Sequence, residues 1–215
     1  NMTFVCADIH GCYNQYLKLL AEMDFNDSDE LYIIGDVLDR EGNGGIDILQ
    51  DIMMTPNIRL ILGNHEEVAL EGMELLMETK IKNSSNPDGI LPEYIIIMLT
   101  EWINLGGYPT IDAFRELSRS EQNRIIRFLS NRCMTYAEIT VNGTDYVLCH
   151  DENYYDDVYD AVLITGHLPT RFIDDNPKPD YIWRDGDHWH IDCGCGYGGR
   201  LGAVCLETGE EFYVE

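Results

Sequence analysis

Short apolar runs along the chain repeatedly give way to polar loops of one kind. Val5-Cys6-Ala7 leads into Asp8-Ile9-His10-Gly11, Leu31-Tyr32-Ile33-Ile34 into Gly35-Asp36-Val37-Leu38-Asp39-Arg40, and Leu60-Ile61-Leu62 into Gly63-Asn64-His65-Glu66. Such continuous runs predict buried strands over 3–7, 31–35 and 58–62. Between them, Tyr13, Tyr16, Leu17, Leu20 and Met23 recur at helical spacing and predict a helix over 12–23. Ile46 to Met53 predicts a second helix, stopped before Pro56. Strands alternating with helices argue parallel βαβ units. In such sheets ligands gather at the carboxyl ends of the strands, where all three polar loops lie.

Asn64 to Lys80 predicts a third helix, with Asn64 and Glu67 spaced as a capping box. Residues 83–92 read as a loop, and helical patterns follow at 93–105, 109–117 and 120–131. This helical block, at about 66–131, interrupts the sheet pattern, where it would cover a site or carry a substrate groove. The last third is β-rich. Asn142-Gly143 joins strands 134–141 and 144–149 in a hairpin. An apolar run follows at 161–165, and further hairpins at 181–192 and 201–214. The expected architecture is α/β: a two-sheet sandwich with outer helices (α/β/β/α), a helical insertion and a β-rich C-terminal part, in one domain over 1–215.

Composition narrows the partners. The formal charge of −25, from 39 acidic and 14 basic residues, repels nucleic-acid backbones and anionic membranes. Bound divalent cations would still admit a phosphate, because they invert the local field. No run of about 18 apolar residues predicts a membrane helix, and no signal-peptide pattern precedes the first strand. Seven cysteines, without such a signal, read as reduced thiols of a cytoplasmic protein. Cys193 and Cys195 lack a second pair at zinc-finger spacing and read as small buried residues.

The candidate chemistry lies in the loops. Asp, Asn and His at strand ends are ligands for hard or borderline divalent metals. Of six histidines, His10, His65, His150 and His167 follow apolar runs in the same way, whereas His188 and His190 alternate with Trp189 and Ile191 and are expected to face outward. Asp8 and His10, two apart, would point the same way on extended backbone. Asp36, central among the loops, is the natural bridge between two ions about 3.5–4 Å apart.

These three loops match, in order and spacing, the motifs of calcineurin-like metallophosphoesterases, most closely the bacterial and phage serine/threonine protein phosphatase (PPP-type) branch. Thr165-Gly166-His167-Leu168-Pro169-Thr170 resembles a later Gly-His element of that branch, and Ile191-Asp192-Cys193-Gly194 its closing strand. The resemblance implies a metal-dependent phosphoesterase that hydrolyses phosphomonoesters through a metal-bridging hydroxide, on phosphoserine or phosphothreonine in proteins or on a small phosphoester. It implies two divalent ions, foremost Mn2+, with Fe, Zn, Co or Ni also compatible. Asp8, His10 and Asp36 would hold the first, and Asp36, Asn64, His150 and His167 the second. Arg40 and Asn64 would bind the phosphate, and His65, oriented by Asp39, would be the general acid.

The chain also departs from the pattern. Asp151-Glu152 stand after His150 where Ala-Gly or Gly-Gly is usual, and Glu41 stands where glycine usually follows Asp-Arg. Only residues 151–166 separate the two late histidines, and a Trp-x-Arg that supplies a second phosphate ligand has no counterpart. Either the segment is truly shortened, or a loop is missing between 150 and 151. Two other functions fit the motifs: a dinucleoside polyphosphate (diadenosine tetraphosphate) hydrolase, and a binding module of the same fold that has lost turnover.

Overall fold

A computed structural model describes residues 1–83, 91–155 and 160–215. The elements run β1 (Thr3–Cys6), α1 (Tyr13–Glu22), β2 (Glu30–Ile34), α2 (Ile46–Met54), β3 (Ile58–Ile61), α3 (Asn64–Asn83), α4 (Glu93–Asn104), α5 (Tyr108–Glu116) and α6 (Arg119–Asn131). Then come β4 (Tyr136–Val141), β5 (Thr144–Cys149), β6 (Val162–Thr165), β7 (Trp183–Asp185), β8 (His188–His190), β9 (Leu201–Cys205) and β10 (Glu211–Val214). The loop expected at 83–92 falls largely outside the described residues.

Two five-stranded sheets form, in the orders β10-β9-β1-β2-β3 and β4-β5-β6-β8-β7. In the first, β1, β2 and β3 are parallel. Alternate residues of these strands serve two cores, which explains the continuous apolar runs. Phe4, Cys6, Leu31, Ile33, Ile58 and Leu60 face the helices. Val5, Tyr32, Ile34 and Ile61 face Tyr146, Leu148, Ile164 and Ile191 of the second sheet. All six α-helices contribute to the first core, and Met73, Trp102, Phe114 and Leu129 bring the helical block into it. Among the described residues, no α-helix covers the outer face of the second sheet, which carries His188 and His190 as expected from their alternation. The three expected hairpins form, at β4–β5, β7–β8 and β9–β10. Asn142 and Gly143 both take positive φ, as a two-residue hairpin turn requires.

The second sheet holds a parallel trio that periodicity alone did not disclose: β5, β6 and β8 run side by side in one direction. Their carboxyl ends deliver His150, His167 and Asp192. Those of β1, β2 and β3 deliver Asp8 and His10, Asp36, and Asn64 with His65.

Candidate metal centre and phosphate site

The chain turns abruptly at these strand ends. Asp8, His10, Asp36, Asp39, Arg40 and His167 all have positive φ, between 47° and 74°. Left-handed backbone at non-glycine residues costs of order 1–3 kcal/mol and collects at functional sites. This corrects one expectation. Asp8 and His10 reach the site from a left-handed loop, not from extended strand, because β1 ends at Cys6 and the loop hydrogen-bonds to the neighbouring one. Asp8 N–H donates to the Gly35 carbonyl and His10 N–H to that of Asp36, both at 3.0 Å.

Asp36 lies at the centre. Its Oδ2 is 3.6 Å from His10 Nε2, 3.8 Å from His65 Nε2 and 3.2 Å from His150 Nε2. The other ring nitrogens are anchored. Nδ1 of His10 donates to the Leu38 carbonyl at 3.0 Å, and that of His150 to the Ile34 carbonyl at 2.9 Å. His65 Nδ1 is 2.6 Å from Asp39. Each imidazole thus turns Nε2 toward Asp36. Asn64 Oδ1 lies 3.0 Å from His150 Nε2 and 3.1 Å from His167 Nδ1. Two sets of potential ligand atoms result: His10, Asp36 and His65, and Asp36, His150 and His167. The second contains three of the four expected residues, and the fourth, Asn64, turns its Oδ1 to both histidines. The first contains His65 in place of Asp8. The Asp8 carboxylate accepts the His167 N–H at 3.0 Å and stands 4.0 Å from His10 Nε2. These oxygen and imidazole donors, with Asp36 common to both sets, fit a pair of divalent ions.

Electrostatics agree with that fit. Burial lowers the His10 pKa to about 3, leaving a neutral ring with a free lone pair. Burial also opposes charge on His150, but the Asp36 and Asp8 carboxylates outweigh it and push its pKa up to about 10. The cage attracts positive charge. Asp8 is raised by burial and by its neighbour Asp192, which hydrogen-bonds to it and is itself pushed up by burial to about 6.

The residues that hold this cage were less visible in the sequence. Glu66, fully buried, accepts four backbone N–H groups: Asp36 and Gly63 on one oxygen, Val37 and Leu38 on the other, at 2.7–3.0 Å. It caps α3 from Gly63 and ties the second motif to the third. The expected Asn64–Glu67 capping box therefore gives way to a Gly63–Glu66 pairing, and the Asn64 side chain is turned to the histidines. The helical block reaches the site from the other side. Trp102 Nε1 and Thr110 Oγ1 donate to Asp39 Oδ1 at 2.9 and 2.7 Å, and Arg40 N–H donates to the Gly106 carbonyl at 2.9 Å. Arg40 itself packs over the Tyr197 ring at 4.2 Å, with Nη2 on the Tyr197 hydroxyl, while its buried Nη1 has no hydrogen-bond partner among the described residues. The only early signal for Glu66 was its place inside a motif. Asp192 had the same kind of signal, within Ile191-Asp192-Cys193-Gly194, but no role was read for it, and Trp102 and Thr110 gave none.

Comparison with known proteins bears directly on this arrangement. The profile of calcineurin-like phosphoesterases matches residues 3–197. The chain belongs to that family. A serine/threonine-protein phosphatase 2 of Salmonella typhimurium is 31% identical over 158 residues, 73% of this chain and 61% of the relative. A symmetrical bis(5'-nucleosyl)-tetraphosphatase of an Enterobacter species is 30% identical over 117 residues, 54% of this chain and 40% of the relative. This phosphoesterase chain thus spans less than two thirds of the curated relatives it matches. Among solved structures, a "putative diadenosine tetraphosphatase" superposes with a TM-score of 0.61 at 16% identity, covering 99% of this chain and 92% of the other. A metallophosphoesterase from Sphaerobacter thermophilus gives 0.53 at 13%, covering 100% and 89%. Both show the shared fold. Among the described residues, no helix is long and apolar enough to cross a membrane.

Proposed function

We propose that the chain is a two-metal phosphomonoesterase acting on phosphoserine or phosphothreonine in proteins. The observation that carries this is one Asp36 carboxylate within 4 Å of three histidine Nε2 atoms that come from three different strand ends. In this reading Asp8, His10 and Asp36 hold one ion, and Asp36, Asn64, His150 and His167 the other. Mn2+ is the first choice for oxygen and imidazole donors of this kind. When bound, the ions supply Lewis-acid activation of water and neutralise the phosphate charge.

The chain's own residues do the rest. Arg40, held over Tyr197 and with Nη1 unpaired among the described residues, supplies the phosphate with a positive guanidinium. Asn64 opens α3, whose N-terminal N–H groups favour an anion there. His65 delivers a proton from Nε2 to the leaving oxygen. Burial disfavours its charged form, but the Asp39 hydrogen bond and the Asp36 charge outweigh burial and raise its pKa, which favours the protonated ring.

Hydrolysis of dinucleoside polyphosphates is the second reading, supported by the names of several relatives. The charge of −25 and the acidic Glu41 beside Arg40 disfavour a substrate carrying several phosphates and favour a peptide. The deciding assay offers the manganese-loaded chain a phosphopeptide, an aryl phosphate and diadenosine tetraphosphate. Turnover of the first two is expected. Preference for the third would reverse the order of the readings, and no turnover of any would leave a binding module.

A further inference from the structure

A groove of about 800 Å³ runs beside the metal cage, with Gly11, Cys12, Glu41, Cys195, Gly199 and Arg200 in its wall. The two cysteines come from opposite ends of the chain. Cys12 precedes α1 and stands two residues beyond His10. Cys195 opens a single 3-10 turn, Cys195–Tyr197. The Cys12 thiol lies 3.8 Å from the Cys195 carbonyl and 3.9 Å from that of His10, and the two thiols are close enough to act on one another. Neither is a disulfide.

The seam between them touches the site twice. At Gly196 the turn presses on His10, where an added Cβ would stand 2.5 Å from the imidazole Cδ2. At Tyr197 it carries the ring and hydroxyl that hold Arg40. The other buried thiols have different surroundings. Cys6 and Cys149 are fully enclosed, and Cys193 and Cys205 nearly so, in strand or strand-end positions. Cys12 is 9% exposed and opens on the groove, large enough to admit a small oxidant.

We propose that Cys12 and Cys195 form a dithiol pair that a peroxide closes to a disulfide, fastening the 195–197 turn to the His10 loop and slowing turnover. The sulfur of Cys12 attacks the peroxide, the O–O bond breaks, and one water leaves as Cys12 becomes a sulfenic acid. The Cys195 sulfur then attacks the Cys12 sulfur, the S–O bond breaks, and a second water leaves. The two thiols are oxidised by two electrons in all and the peroxide is reduced to two waters. Closure brings the sulfurs to about 2.05 Å. That draws the turn against His10 and shifts Tyr197 beneath Arg40.

The experiment treats the full, manganese-loaded chain with stoichiometric hydrogen peroxide, alkylates the remaining thiols and maps a non-reduced digest by mass spectrometry. A linked peptide joining Cys12 to Cys195 is expected, lost on dithiothreitol treatment. Turnover should fall by tenfold to about a hundredfold on closure, since a misplacement near 1 Å can cost about 10²-fold, and return on reduction. Cys195→Ser should form no link and keep its turnover through the same treatment. Separate alkylation of Cys12 and Cys195, under peroxide that oxidises the more exposed Cys133, would overturn the proposal. So would equal inactivation of Cys195→Ser, which would point to oxidation of the metal. The mapping needs no activity, so it stands or fails separately from the phosphatase reading.

Discussion

At the scale of single residues, Asp36 and His65 separate two kinds of failure. Asp36 is common to both sets of potential ligands, so replacing its carboxylate would weaken both proposed ions at once. Asp36→Asn is expected to reduce bound metal to one equivalent or none and to bring turnover to background. Elemental analysis of protein purified without chelator checks this, and two retained ions with normal turnover would refute the bridging role. His65 contributes a proton in the proposed reaction, and that matters most when the leaving group is a poor one. His65→Ala is expected to slow an alkyl phosphate by roughly 10²–10⁴ while an aryl phosphate with a good leaving group loses far less. Equal losses in the two kinetic series would remove the acid role. Glu66 acts differently. Its loss leaves four buried N–H groups without an acceptor, so Glu66→Ala should destabilise the fold by roughly 3–5 kcal/mol, measured by urea unfolding.

At the scale of elements, the helical block is part of the site. Trp102 of α4 is fully buried and donates to Asp39, which in turn holds His65. Its ring lies on Gly72 of α3, where a Cβ would stand 2.3 Å from ring carbon Cε3. Helix propensity alone would make Gly72→Ala stabilising by about 1 kcal/mol. Overpacking against a buried indole costs typically 1–3 kcal/mol and should win. The expected result is a lower melting temperature, with a larger loss on alkyl than on aryl phosphates as the Asp39–His65 pair shifts. A raised melting temperature with unchanged kinetics would show that the indole yields freely. The elements themselves were legible early. The bounds of α1, α2, α4, α5 and α6 and of the hairpins fall within one or two residues of the apolar periodicity, because each buries one face in the first core or turns on a strong local signal.

At the scale of the whole molecule, the dominant quantity is charge. With 39 acidic and 14 basic residues, and with buried Asp8, Asp36 and Asp192 close enough to disfavour one another's charge, the folded chain holds acids that repel. Cations bound to the native state and not to the unfolded chain would relieve this and stabilise by mass action, by about 2.7 kcal/mol per site at a hundredfold excess over Kd. Adding EDTA should therefore lower the melting temperature, and Mn2+ should restore it. A calorimetric scan unmoved by either would argue against resident metal.

The sequence by itself determined the ordered loops, the βαβ start, the hairpins and the set of side chains to examine, because these follow from local periodicity and from residue types at strand ends. Contacts between distant segments decided the rest: Glu66 fastening two loops, Trp102 and Thr110 holding Asp39, Asp192 against Asp8, and His65 beside Asp36. Each rests on hydrogen bonds or close approaches across tens of residues or more, and a hydrogen bond leaves no period in the chain that makes it. Only the folded packing of strand ends against helices sets which groups meet.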